Sequence, residues 1–201
     1  MNKSLSTRKK ADINVTHVFD PKNIAVLESE DRKTWHNVDE ILELIELKQN
    51  YIVADLGCGS GYFTIPFSYK VKKIYGIDLQ KEMLDFLAKK IQHCNLNNIE
   101  LLLSKEDKIP LEDQSVDLLI TVNTLHEFRT KEKVIGEIQR VIKSGGKAIV
   151  IDFMKKNMDF GPPLEIRISK NQAKQLFEER GFKFIKSHEL LYHYLIIFQK
   201  T

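Results

Sequence analysis

The chain is poor in cysteine: Cys58 and Cys94 are the two among 201 residues, too few for a disulfide framework. Both read as reduced bystanders, Cys58 in a glycine turn and Cys94 at a helix end. No apolar run approaches the ~20 residues needed to span a bilayer, and the first 12 residues lack the apolar stretch of a secretory signal. A cytoplasmic protein without a membrane partner is the expectation. Charge of one sign is not in excess either. With 31 basic and 28 acidic residues the net charge is +3, too balanced to demand a nucleic-acid partner. Lys3, Arg8, Lys9 and Lys10 make a basic start that reads as a solvated tail.

Several chemical signatures are missing as well. His126-Glu127 and His188-Glu189 are followed by Thr130 and Tyr192 where a zinc helix needs its second histidine, so no metal is expected. Gly145-Gly146-Lys147 is not a phosphate loop, because Arg140 and Ala148 replace its first glycine and its Ser/Thr. Tyr69 and Lys73 have the Tyr-x-x-x-Lys spacing of short-chain dehydrogenases but fall between a helix and a strand. There is no internal repeat. The remainder, 42% apolar and 29% charged, is ordinary for one soluble domain.

What is present is a glycine turn. The apolar run Tyr51-Ile52-Val53-Ala54 leads into Asp55-Leu56-Gly57-Cys58-Gly59-Ser60-Gly61. This reads as a buried strand, a sharp turn, and a helix starting near Ser60 whose free N–H groups face the same spot. Asp78 follows Gly57 by 21 residues, at the end of the second strand, where an acid accepts hydrogen bonds from ribose hydroxyls. A nucleoside-like cofactor is therefore expected. A dinucleotide turn needs Gly-x-Gly-x-x-Gly, and Tyr62 occupies the last glycine's place. Asp55 at the strand end would repel a pyrophosphate but suits a ligand bearing an ammonium and a sulfonium.

The segment Val53 to Gly61 resembles motif I of the class I S-adenosylmethionine-dependent methyltransferases. Gly76-Ile77-Asp78-Leu79, Lys108 to Leu119, and Arg140 to Ala148 resemble further segments of that family, in the same order. The resemblance covers roughly residues 38–200 and is nearest the small "type 11" members. It implies S-adenosylmethionine as cofactor and S-adenosylhomocysteine as product. Asp55, Gly57, Cys58, Gly59, Gly61, Asp78, Leu79 and Asn123 are the implied cofactor contacts. The family often reads adenine with an Asp five residues before a Pro; Lys105 stands there, which moves that role to Glu106 or Asp107 or leaves it to the backbone.

Strands are expected at Tyr51–Leu56, Lys73–Ile77, Ile99–Leu103, Val116–Val122, Ala148–Phe153, Phe182–His188 and Tyr192–Gln199. Helices are expected at Val38–Leu47, Lys81–Cys94, Lys131–Ile142 and Asn171–Arg180. The sum is an α/β fold: a doubly wound Rossmann-like sheet, mostly parallel, with one antiparallel strand near the edge and helices on both faces. Residues 1–37 form a tail and a substrate-side cover, with Trp35 and His36 either roofing the site or packing on the sheet; residues 38–201 form the methyltransferase domain. His126 follows the fourth strand and is the candidate base, against a structural role of equal weight. The expected acceptor is a small molecule; RNA or protein acceptors stay open, as does oligomeric state. The rival readings are a non-catalytic nucleoside-binding domain and an NAD-dependent oxidoreductase.

Overall fold

In the computed structural model, residues 18–29 and 32–201 are described. The basic tail and His17 lie outside the described residues. Two short helices, α1 (Ile24–Leu27) and α2 (Arg32–Trp35), precede α3 (Val38–Ile45). The sequence pattern did not announce α1 and α2, which are a single turn each. α3 starts where the Asn37 side chain accepts from the N–H groups of Asp39 and Glu40. It ends at Glu46, whose φ of 56° is left-handed. Ile41 and Ile45, one helical turn apart, are fully buried.

The strands are β1 (Ile52–Leu56), β2 (Lys73–Asp78), β3 (Ile99–Leu103), β4 (Val116–Val122), β5 (Ile142–Phe153), β6 (Phe182–Glu189) and β7 (His193–Lys200). They form one sheet in the order β3-β2-β1-β4-β5-β7-β6. All pairs are parallel except β5–β7 and β6–β7. The connecting helices are α4 (Thr64–Ser68), α5 (Lys81–His93), α6 (Lys131–Val141) and α7 (Lys170–Glu178). α7 opens on a capping box between Ser169 and Gln172. Side chains alternate across the sheet. In β4, Leu118 and Ile120 join the core that holds Ile41 and Phe67, while Leu119 joins the core of Ile135, Ile138 and Phe177.

β5 begins at Ile142, six residues before the expected Ala148. Gly145-Gly146 is therefore a bulge within a strand rather than the turn ahead of one. The register with β4 shifts between Val116 and Leu118, Gly145 has a φ of 73°, and a Cβ on Gly146 would stand 2.8 Å from the Asp117 carbonyl oxygen.

Arg140 holds the segment before β4 onto α6. Its Nε and Nη2 donate to Glu137 at 2.7 Å each, Nη1 to Asp113 at 2.7 Å and to the Leu111 carbonyl at 2.8 Å, and Nη2 to the Ile109 carbonyl at 2.9 Å. The Arg140 hydrogen bond holds the Glu137 carboxyl below its ordinary value of 4.5. A depressed acid stabilises the fold above its unfolded pKa and loses that contribution as pH falls through the folded pKa. Arg140→Met is expected to cost about 1.5–3 kcal/mol, or about 2–4 °C of Tm for each kcal/mol. The penalty should be full at pH 7 and shrink below about 4.5. Calorimetric melts of both proteins from pH 7 to 3.5 check this; a penalty that does not change with pH removes the ion pair as its source.

Candidate active site

The carboxyl ends of β1, β2, β4 and β5 open onto a cavity of about 670 Å³. It sits where the strand order reverses between β1 and β4, the place where open α/β sheets bind ligands. Its floor is the turn after β1. Gly57, Gly59 and Gly61 all have left-handed φ values, 77°, 51° and 81°, yet they do different work. A Cβ on Gly57 would stand 2.3 Å from Thr124 Oγ1, and one on Gly61 would stand 2.2 Å from Leu87 Cδ1. On Gly59 it would meet nothing nearer than Leu27 Cδ1 at 3.6 Å. Gly57 and Gly59 line the cavity; Gly61 does not, and instead lets α5 pack against the turn.

The expected helix start near Ser60 is also corrected. α4 begins at Thr64, because the left-handed residues Gly59 and Gly61 interrupt any helix before it. Nor are the N–H groups of the turn free. Gly57 and Cys58 donate to the Ile77 carbonyl at 2.8 and 3.1 Å, and Gly59 donates to Asp78 Oδ2 at 2.8 Å. A pyrophosphate would find no backbone cradle here.

Asp78 ends β2 facing the cavity. Its Oδ1 accepts from Gln80 N at 2.9 Å, and with Leu79 as a third backbone donor the carboxylate retains one lone pair for a ligand. Burial raises its pKa, against the pull of three backbone N–H groups. Leu79 lies on the rim, and Cys58 lines the floor with its thiol pushed well up by burial. Asp55 is off the lining. It is buried beneath the turn, accepts from Thr64 Oγ1 at 2.6 Å, and burial pushes its pKa up to about 6. After β3, Glu106 is on the lining and pairs with Arg129 at 3.1 Å, whereas Asp107 turns away to Lys133 at 3.6 Å.

Asn123, at the end of β4, has a φ of 55° and a buried Oδ1 without a partner. Such strain in a non-glycine residue gathers at functional sites. His126 follows in the 3-10 turn Leu125–Glu127. Asp152, buried in β5, holds it twice: Oδ1 lies 2.8 Å from Nδ1, and Oδ2 accepts the His126 backbone N–H at 3.1 Å. Burial lowers the imidazole pKa and Asp152 raises it, with a net rise. Burial pushes the neighbouring Glu127 carboxyl up to about 7.

The structure adds residues that pattern reading did not reach. Asp152 had a signal, a lone acid inside the apolar run Ala148–Phe153. Arg32 had none. It is 8% exposed, lies 4.1 Å above the Tyr62 ring centroid, donates to the Leu27 carbonyl at 2.9 Å, and keeps a buried Nε without a partner. Burial lowers its pKa to about 10, which leaves it charged at neutral pH. Residues 18–29 and 32–36 roof the cavity. Gln80 Nε2 donates to the Phe19 carbonyl at 2.8 Å, Tyr62 OH to the His36 carbonyl at 2.8 Å, and Lys90 reaches both Glu28 and the Ser60 carbonyl.

Residues 47–191 match the family described as "Methyltransferase domain". The chain belongs to that family. It is an S-adenosylmethionine-dependent methyltransferase. A crystal structure of a SAM-dependent methyltransferase from Aquifex aeolicus superimposes with a TM-score of 0.87 at 31% identity, covering 92% of this chain and all of that one. A putative type 11 methyltransferase from Sulfolobus solfataricus gives a TM-score of 0.70 at 27% identity over 83% of this chain and 93% of that one. The demethylmenaquinone methyltransferase of Bacillus mycoides is 26% identical over 147 residues, 72% of this chain and 61% of that protein. The chain spans between 35% and 61% of the length of the curated relatives named as methyltransferases.

The site of this methyltransferase suits the sulfur nucleoside that its family uses. Gly59 offers an open face, and Asp78 has a lone pair to spare. Arg32 Nε, Ser60 Oγ and Asn123 Oδ1 are buried polar atoms on the lining without partners, a set that matches a ligand carrying both a carboxylate and an ammonium.

Gly61→Ala is expected to destabilise the fold by about 2–4 kcal/mol, from backbone strain and overpacking against Leu87. Gly59→Ala, with open space, should cost the strain alone, about 1–2 kcal/mol. Urea denaturation of both, and of Gly61→Ala with Leu87→Ala, checks this. The double variant should be more stable than additivity allows; strict additivity refutes the overlap.

Proposed function

We propose that the acceptor is a small molecule and that His126 takes its proton. When bound, S-adenosylmethionine supplies an electrophilic methyl group on a positively charged sulfur. In this reading Asp78 holds the ribose hydroxyls, the Ser104–Ile109 segment borders the adenine, and Arg32 with Ser60 receives the amino-acid carboxylate. Asn123 Oδ1 accepts from the ammonium. Asp55 acts from below, as a buried carboxylate whose ionisation a nearby positive ligand favours. The cover formed by residues 18–29 and 32–36 supports a small acceptor, because Phe19, Leu27, Arg32 and Trp35 from it line the cavity. The name of the demethylmenaquinone relatives, whose substrate is a small molecule, points the same way.

The observation that carries the proton-acceptor role is the His126–Asp152 pair. Nδ1 donates to Asp152, so Nε2 is the basic nitrogen. It lies 4.0 Å from Glu127 Oε1, beyond hydrogen-bond distance. Asp152 stabilises the imidazolium that forms. A non-catalytic domain would have no use for such a pair beside the cofactor.

His126→Asn is expected to lower turnover about 10²–10⁴-fold while calorimetry finds S-adenosylhomocysteine affinity unchanged. In the wild type the rate should rise with pH as His126 loses its proton, with a midpoint above the ordinary 6.5 because its pKa is raised. Asp152→Asn should move that midpoint down. Glu127 and Lys131 face the same imidazole, so Glu127→Gln serves as the control that keeps the His126 step. A near-wild-type rate for His126→Asn retires the assignment.

A further inference from the structure

The cavity crosses the sheet. Asp78 marks its β2 end and Phe153 its β5 end, and three strand spacings separate these by about 14 Å. With the nucleoside at the β2 side, the β5 side is left for the acceptor, and that side is aromatic. Trp35 comes from α2, Phe153 ends β5, and Phe160 comes from the loop that follows. Ring centroids are 5.2 Å apart for Trp35–Phe160, 5.9 Å for Phe153–Phe160 and 6.1 Å for His126–Phe153. The loop is fixed: buried Arg167 donates to the carbonyls of Lys156, Phe160 and Pro162 at 2.8, 3.0 and 2.7 Å. Gly161, with a φ of 94°, passes so close to the Phe153 ring that a Cβ would lie 2.7 Å from it. Behind this wall the His36 and His193 rings meet at a tilt of 37° with centroids 4.1 Å apart. Burial keeps both neutral, so they extend the aromatic wall and add no charge to it.

Three classes of acceptor fit poorly. A cation would meet Arg32 on the same lining, and the Arg167 guanidinium already lies 5.7 Å from the Phe153 ring centroid. An anion would meet Glu127, which lines the cavity beside His126. A macromolecule would meet the cover. A neutral flat molecule that develops charge only as it reacts fits best.

Resting on the reading of His126 given above, we infer that the acceptor is a small neutral phenol: a flat conjugated ring laid against the wall of Trp35, Phe153 and Phe160, its hydroxyl donated to His126 Nε2. The hydroxyl proton passes to Nε2. The oxygen lone pair forms the new O–CH3 bond, and the pair of the broken C–S bond stays on sulfur. Charge is conserved, since one cation is neutralised at sulfur as another forms on the imidazole.

Trp35 is the only tryptophan in the chain, so its fluorescence reports directly on the slot. The probe is 2-naphthol, titrated into the full chain without nucleoside and again with saturating S-adenosylhomocysteine; its saturated analogue decahydro-2-naphthol is the control. The expected result is saturable quenching by 2-naphthol, with binding at least about tenfold tighter than the analogue by calorimetry, and release of 2-methoxynaphthalene when S-adenosylmethionine is added. Phe160→Leu, which keeps bulk and removes the ring, should weaken 2-naphthol about tenfold and leave S-adenosylhomocysteine affinity unchanged. Equal binding of the two probes, no binding of either, or methylation of dithiothreitol or benzylamine in preference to 2-naphthol overturns the inference. If S-adenosylhomocysteine still binds in that case, the acceptor class fails alone; if S-adenosylhomocysteine fails to bind, the cofactor reading fails, and the nucleoside-free titration still decides the slot.

Discussion

Three consecutive N–H groups, those of Gly57, Cys58 and Gly59, are bonded to the end of β2, and the rest of the site depends on that. The bonds hold the turn in a left-handed course, and they aim Asp78 across it. They also remove the donors that would cradle a phosphate. A loop that resembles a dinucleotide turn in its glycines thus has three of its N–H groups engaged within the protein. Asp55 is too deeply buried to meet a ligand directly, so its influence reaches the cavity only as a field through the turn.

Much of the fold was legible because a parallel strand buried on both faces reads as an apolar run. β3 and β4 have the expected limits, and the antiparallel partner follows from a hairpin-length link. Errors came where glycine has two uses. Gly145-Gly146 lies ahead of the expected strand but is a bulge inside it, and Gly61 reads as a ligand contact but makes room for Leu87. In the site, Asp78 and His126 were legible because a polar residue at a strand end is conspicuous. Arg32, Phe160 and Arg167 were not, since they lie in segments without periodicity and meet the cavity only through tertiary packing. Glu106 and Asp107 are adjacent in sequence, and only the fold turns one to the cavity and the other to Lys133.

Several acids and bases around the cavity are held away from their ordinary behaviour, and burial is the leading cause for Asp55, Glu127 and Arg32. Acids with raised pKa values favour the fold while protonated and cost stability as pH rises through about 6 to 7. A positive charge in the cavity would offset that cost, through its field for Asp55 and at closer range for Glu127, which lines the cavity.

The contact between the rings of His36 and His193 joins a residue ahead of the first strand to one in the last. β7 is inserted between β5 and β6, so the sheet cannot close until that strand arrives. The cover has nothing to rest on before Tyr62, Gln80 and Lys90 are in place. Long-range contacts of this kind slow folding. A growing chain on the ribosome can assemble the nucleoside half, from β1 to β4, well before the aromatic half exists. The strands on the β2 side of the cavity are thus made before β5, and the ring wall that Trp35 begins is completed only when Phe153 and Phe160 follow.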